Sequence, residues 1–257
     1  MRIPTRPLAL VLLAAAGLLA HPQASFAQVR VIISGGFSAA YRELLPQFEK
    51  TTGLTVTTTS GGSVGNGANT IPNQIRRGVA ADVVILAREG LRELIQERRI
   101  VPGTDTDLAR STIGMVVRAG APRPDISTVD NLRQVLLSAK SVAMSSSTSG
   151  VYLTTTLFPR LGIAAQMAPK STMAGAAAVG RGEAEIGLQQ VSELLPIEGT
   201  AFVGALPEDV QYVTVYAAAV VAGSTNADAA TRLIAFLSSG EAAGAITRSG
   251  MEVPRRR

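Results

Sequence analysis

The sequence of 257 residues has no cysteine, no tryptophan and a single histidine, His21. That histidine falls in a leader-like stretch. Met1, Arg2 and Arg6 make a basic start, Leu8 to Ala20 an apolar run, and Ser25-Phe26-Ala27 a small-x-small cleavage signal. Residues 1–27 are therefore read as a signal peptide, the protein as periplasmic, and the mature chain from Gln28 as free of histidine. Such a chain cannot build a Ser-His-Asp triad, a Cys-His nucleophile, a His-ligated zinc site or an iron–sulfur cluster. No metal and no cofactor is expected. Without disulfides, an exported protein must rely on its apolar core, and the mature length suffices for one large or two small lobes.

Aromatic residues are also scarce, at 4% of the chain, too few for a base-stacking platform. The net charge of +5 has the sign for a nucleic-acid partner. Its distribution argues otherwise: Arg2 and Arg6 belong to the leader and Arg255, Arg256 and Arg257 to a terminal tail, and the body between carries 19 basic and 19 acidic residues. No nucleic acid is expected as a partner. After the leader no apolar run approaches the ~18 residues of a membrane span. Tyr212 to Ala222 is apolar but shorter, and reads as a buried strand.

Strands and helices alternate along the mature chain. Val29 to Ser34 reads as a strand, followed by a Gly35-Gly36 turn and a helix from Ser38, its expected N-cap, to about Lys50, closed by Gly53. Further strands are expected at Leu54 to Thr59, Asp82 to Ala87, Ser141 to Met144 and Glu185 to Gln189, with helices near 70–77, 89–98, 129–139 and 228–237. This alternation indicates α/β architecture with a mostly parallel sheet. Two such series, joined by extended segments near 111–118 and 212–221, suggest two lobes linked by two crossing strands, with a ligand cleft between them. Residues 28–110 with 220–257 are assigned to the first lobe, and 111–219, with the crossing strands, to the second.

Three loops rich in hydroxyls and glycine each stand between a strand and a helix: Ser34 to Ser38, Ser60 to Gly67, and Ser145 to Gly150. Ligands in open α/β sheets bind outside the carboxyl ends of strands, where helix N-termini present free N–H groups. Several such loops aimed at one point suit a small anion. Gly61-Gly62-Ser63-Val64-Gly65 matches the G-x-S-x-G nucleophile elbow, but the mature chain has no histidine base, and Lys50, Lys140 and Lys170 have no Ser-x-x-Lys spacing. No phosphate loop ending in Gly-Lys-Ser/Thr is present. Asp105 and Asp107 supply too few oxygens for a calcium loop and read as a solvated turn. Gln189 and Gln190 close a buried strand, where an amide needs a partner, in the ligand or at the strand end. Tyr152 faces either the core or the ligand.

The segments Val31 to Ala40 (VIISGGFSAA), Gly78 to Ala87 (GVAADVVILA), Thr148 to Tyr152 (TSGVY) and Gly187 to Glu193 (GLQQVSE) resemble the periplasmic solute-binding proteins of the molybdate-binding type. That resemblance implies a type II binding-protein fold, two α/β lobes that close on an anion and deliver it, as a monomer, to an ABC permease. It carries ligand positions onto Gly36, Ser38, Ser60, Ser63, Ser149, Met173 and Gln190. Gly36 stands where molybdate binders have a serine and Gln190 where they have a tyrosine, and the second loop is longer; a larger, organic anion fits these departures. Leu188 to Pro196 (LQQVSELLP) is similar to a branch of the family associated with aconitate isomerase.

Two functions follow as expectations. The first is a periplasmic receptor for a small anion, either a molybdate-like oxyanion or an organic carboxylate. The second is a cofactor-free isomerase of an unsaturated tricarboxylate, since an allylic proton shift needs one acid–base group and charge stabilisation. For the latter, Tyr152 and Glu193 are the candidate acid–base groups. Arg88, at a strand end, is the candidate carboxylate anchor.

Overall fold

A computed structural model describes residues 28–254; the expected signal peptide and the Arg255–Arg257 tail lie outside the described residues. The first lobe is a five-stranded sheet in the order β2-β1-β3-β10-β4, formed by β1 (Gln28–Ile33), β2 (Thr55–Ser60), β3 (Val83–Ala87), β4 (Thr106–Ser111) and β10 (Thr214–Val220). The second has the order β7-β6-β8-β5-β9, from β5 (Ile113–Arg118), β6 (Val142–Met144), β7 (Ser171–Thr172), β8 (Ile186–Gln190) and β9 (Thr200–Ala205). This is the two-lobed α/β architecture of a type II periplasmic binding protein.

The sheets are mixed rather than mostly parallel. β1 runs parallel to β2 and β3, and β6 to β7 and β8, whereas β10 and β5 run antiparallel to both their neighbours. The antiparallel members are the strands that receive the chain as it crosses between lobes. It crosses first at Thr112, between β4 and β5, and returns through residues 206–213. The expected division at 219/220 falls at the far end of β10, which pairs with β3 and β4 and so belongs to the first lobe. β9 was not anticipated; its residues are only partly buried, so its apolar pattern is weak.

Both faces of each sheet are covered, which is why β3 reads as an unbroken apolar run. On one face of the first sheet Val31, Ile33, Val83 and Ile85 pack against α1 (Ser38–Thr52) and the helix Ala227–Leu237. On the other, Ile32, Val84 and Leu86 meet α2 (Ile71–Arg76) and α3 (Arg88–Gln96). In the second lobe Met115, Met144 and Leu188 pack against α4 (Val129–Ser138) and the helical stretch that begins with α5 (Thr148–Tyr152). Each such aliphatic side chain contributes about 1.5–3 kcal/mol by leaving water. Gly53 ends α1 in the left-handed region at φ 69°, as its sequence position implies. Ser38 is not the N-cap: a tight turn over Gly35–Phe37 precedes the helix, and Ser38 Oγ donates to the Ser34 carbonyl at 3.1 Å.

Candidate functional site

The carboxyl ends of β1, β2, β6 and β8 meet between the lobes. From the first lobe come Ser34 and Gly35, Gly61 and Gly62, and Tyr216 of β10; from the second come Ser145, Ser147 to Ser149, Gln190 and Glu193. Together they enclose a cavity of about 110 Å³. The three hydroxyl-rich loops singled out in the sequence thus face one point. The lobes are drawn together around it. Ser63 donates its backbone N–H to Ser147 Oγ at 3.0 Å, Ser192 Oγ donates to the Gly36 carbonyl at 2.7 Å, and Tyr212 donates its hydroxyl to Glu89. A larger recess of about 390 Å³, lined by Val117, Pro122 and Val135, lies elsewhere on the second lobe; it shares no residue with the interlobe cavity and is mainly apolar.

Glu193 supplies the cavity's one ionisable carboxylate, and local structure explains its aim. Gln190 opens the helical turn Val191–Leu194, so Glu193 is its third residue, a position that brings its carboxylate near the Gln190 N–H. The Gln189 side chain lies beside it, and Gln189 Oε1 accepts from the Ala176 N–H at 3.0 Å. Gly35 is pressed against the carboxylate: a Cβ there would stand 2.4 Å from Glu193 Oε1. Burial is the main influence on Glu193 and pushes its pKa from 4.5 up to about 7, with the neighbouring Gln189 amide and Gln190 N–H opposing it. The group is therefore poised to take or give a proton near neutrality.

Tyr216 closes the cavity opposite. Only 2% exposed, it lies with its hydroxyl against Gly36, where a Cβ would come within 1.8 Å of the oxygen. Burial, then the neighbouring Glu193 and Glu89, hold the phenol well above its ordinary pKa, so it remains protonated and able to donate. Ser145 and Ser149 share a hydrogen bond at 3.0 Å, and Thr148 Oγ1 is buried on the cavity wall without a protein partner. The arrangement is a ring of neutral donors around one carboxylate of raised pKa. Among the described residues no group of acidic, cysteine or histidine side chains could hold a metal ion.

The expected site residues separate into those at the cavity and those away from it. Ser149, Gln190 and Glu193 line it, and Gly36 lies directly behind, supporting Tyr216. Gln190, however, is a hinge residue. With its amide oriented by the surrounding network, the oxygen accepts from Thr214 Oγ1 at 2.6 Å and the nitrogen donates to the Ser111 carbonyl at 3.2 Å, tying both crossing segments together. Ser38 bonds to its own turn, Ser60 is an exposed strand end, and Met173 is 47% exposed near Gly150; none lines the cavity. Ser63 is buried and its Oγ accepts from the Ala87 N–H at 2.8 Å, a structural bond that removes the nucleophile-elbow reading.

Two catalytic expectations need correction. Tyr152 donates to the Val210 carbonyl at 2.9 Å and stacks on Tyr212 with ring centroids 4.9 Å apart, so its phenol supports the hinge. Arg88 is held by Asp105 and Asp107, which are ion-pair partners rather than a free turn. Of the groups the sequence reading missed, Tyr216 is the most consequential. Its only signal was one phenol in a strand otherwise of small and branched residues, TVYAAAV.

The fold and its interlobe cavity define a two-lobed solute-binding scaffold. The chain belongs to the bacterial extracellular solute-binding proteins, whose family model matches residues 29–252. Over 255 residues it is 40% identical to a Pseudomonas protein named aconitate isomerase, covering 98% of this chain and 97% of that protein. It is 25% identical over 213 residues to the molybdate-binding protein ModA of Escherichia coli strain K12, covering 78% and 79% respectively. Among solved structures, the periplasmic molybdate-binding protein of Azotobacter vinelandii superposes with a TM-score of 0.72 at 18% identity, covering 88% of this chain and 100% of that one. This last likeness speaks for the fold alone.

Proposed function

We propose that the protein isomerises an unsaturated tricarboxylate, converting between the cis and trans forms of aconitate by an allylic proton shift, with Glu193 as the base. The observation that carries this reading is a carboxylate with a pKa of about 7 inside the interlobe cavity. The relative named aconitate isomerase supports it. Sequence alone favoured a receptor; Glu193 reverses that order. Ionised Glu193 removes a proton from the methylene carbon beside the double bond. The electron pair left behind delocalises into the conjugated carboxylate as the double bond moves, and the same proton returns to the former vinylic carbon. Atoms and charge balance with a single base. Tyr216 and the serine hydroxyls donate to the oxygen on which charge develops. Signal removal and a periplasmic location are part of the same proposal.

The purified mature protein, given cis-aconitate and followed by proton NMR, is expected to form the trans isomer. Glu193→Gln is expected to slow turnover by about 10²–10⁴-fold, the usual contribution of a general base. A second reading, a monomeric receptor that hands a small anion to an ABC permease, is favoured by the closed ring of hydroxyls and the ModA likeness. No turnover around neutral pH, together with a rise in melting temperature with molybdate, would establish that reading in place of the first.

A further inference from the structure

The cavity of about 110 Å³ is small for an organic ligand, whose pockets usually span about 300–1,000 Å³. A second hollow of about 260 Å³ adjoins it, and the two share Gly35 and Glu193. Taken together they enter the usual range. The outer hollow lies between α1 and the turn Gly175–Ala177, and Arg42 projects from α1 onto its wall. Among the described residues Arg42 is the one cation lining either compartment, and it forms no salt bridge there. Its setting contrasts with that of Arg88, whose two aspartates occupy it.

We propose that the outer hollow is a carboxylate subsite, in which Arg42 holds the distal carboxylate of an extended polycarboxylate whose remaining length passes Glu193 into the inner cavity. This assignment rests on the isomerase reading and names the residue that selects its substrate class. A guanidinium presents paired N–H donors matched to a carboxylate, which a ring of hydroxyls does not. The division of labour is also electrostatic. Inner hydroxyls and Tyr216 supply neutral donors beside Glu193, and Arg42 compensates charge from the solvent side without lowering the pKa of the base through direct contact. An inorganic oxyanion seated in the inner compartment alone would not reach Arg42.

Calorimetric titration with tricarballylate, a saturated tricarboxylate that cannot isomerise, and with molybdate tests the subsite apart from turnover. Arg42→Gln is expected to weaken tricarballylate binding by about 10- to 100-fold, the worth of one charge-assisted hydrogen-bonding group, and to raise the KM for aconitate by a similar factor with kcat changed less than about threefold. Arg42→Lys should fall between. Arg42 is exposed on a helix, so melting temperatures within about 2 °C of the parent are expected. Equal tricarballylate affinity and equal KM in parent and Arg42→Gln would overturn the subsite while leaving the isomerase reading intact. Arg42-dependent tricarballylate binding without turnover would sustain the subsite and overturn the isomerase. A parent that binds molybdate but no tricarboxylate would overturn both.

Discussion

Replacing Glu193 by glutamine should change how stability depends on pH as well as abolish a base. In the folded protein the carboxyl has a pKa of about 7 against an ordinary 4.5, because burial penalises its charged form. Below about pH 4.5 folded and unfolded chains both carry the proton, and the full contribution of the neutral carboxyl is present. Between 4.5 and 7 the folded state binds more protons than the unfolded one, so stability falls as pH rises, and the loss is complete just above pH 7. At 1.36 kcal/mol per pH unit the difference amounts to about 3 kcal/mol, or roughly 6–12 °C in melting temperature for a chain of this size. Thermal melts of the mature parent and Glu193→Gln from about pH 4 to 8 read it directly. Other groups titrate alike in both proteins and cancel in the difference, leaving the variant progressively more stable than the parent toward pH 8. Since the base must be ionised, kcat/KM of the parent should rise with pH through the same value near 7. Melting curves that run parallel across this range would refute a carboxylate strained by burial, whatever the activity.

Gly36→Ala should destabilise the protein by about 1–3 kcal/mol and lower activity, because the added methyl would stand 1.8 Å from the Tyr216 hydroxyl and 2.0 Å from its ring carbon and would push the phenol out of its place on the cavity wall; urea denaturation with a parent-like midpoint would contradict this. Asp82→Asn should cost about 2 kcal/mol at pH 7. Asp82 has no exposed side-chain area and accepts from the Arg30 backbone at 2.8 Å, from its guanidinium at 3.0 Å and from Ser224 at 2.7 Å, yet Arg30 is 39% exposed, which reduces the figure below that of a fully buried pair. These bonds hold the Asp82 carboxyl down at about 2, against burial, so its contribution is present above pH 3.8 and is lost as pH falls toward 2. An acid titration in which parent and variant lose stability in parallel would count against that account.

Much of the architecture could be read from local pattern because it is locally determined. The run Val83–Ala87 is apolar throughout because both faces of its sheet are covered, and Gly53 sits where a left-handed residue must end a helix. The three hydroxyl loops were legible for a topological reason: they follow strands, and strand ends in such sheets face the cleft. What was not legible depended on contacts distant in sequence. Arg88 looked like an anchor until Asp105 and Asp107 were found beside it, and Ser63 was expected to meet the ligand, but its oxygen accepts from the Ala87 N–H and does not line the cavity. Gln190 was placed at the cleft, but its amide belongs to Ser111 and Thr214, the points where the chain changes lobes. Tyr216 comes from the return strand, over 100 residues from Gly36 and Gly62, so no spacing rule joins them.

The presence of Glu193 itself bears on which function this scaffold performs. An ionised carboxylate about 4 Å from a bound anion repels it by about 4 kcal/mol at an effective dielectric of about 20, close to a thousandfold in affinity. For a receptor of a stable dianion this is a defect that a glutamine would remove. For proton transfer the same repulsion is useful. A carboxylate substrate raises the proton affinity of Glu193 further, so the ionised form is a stronger base in the complex than in the free protein. The cost to binding must then be met elsewhere. The outer hollow, with Arg42 on its wall, is where this structure offers a compensating charge that does not touch the base.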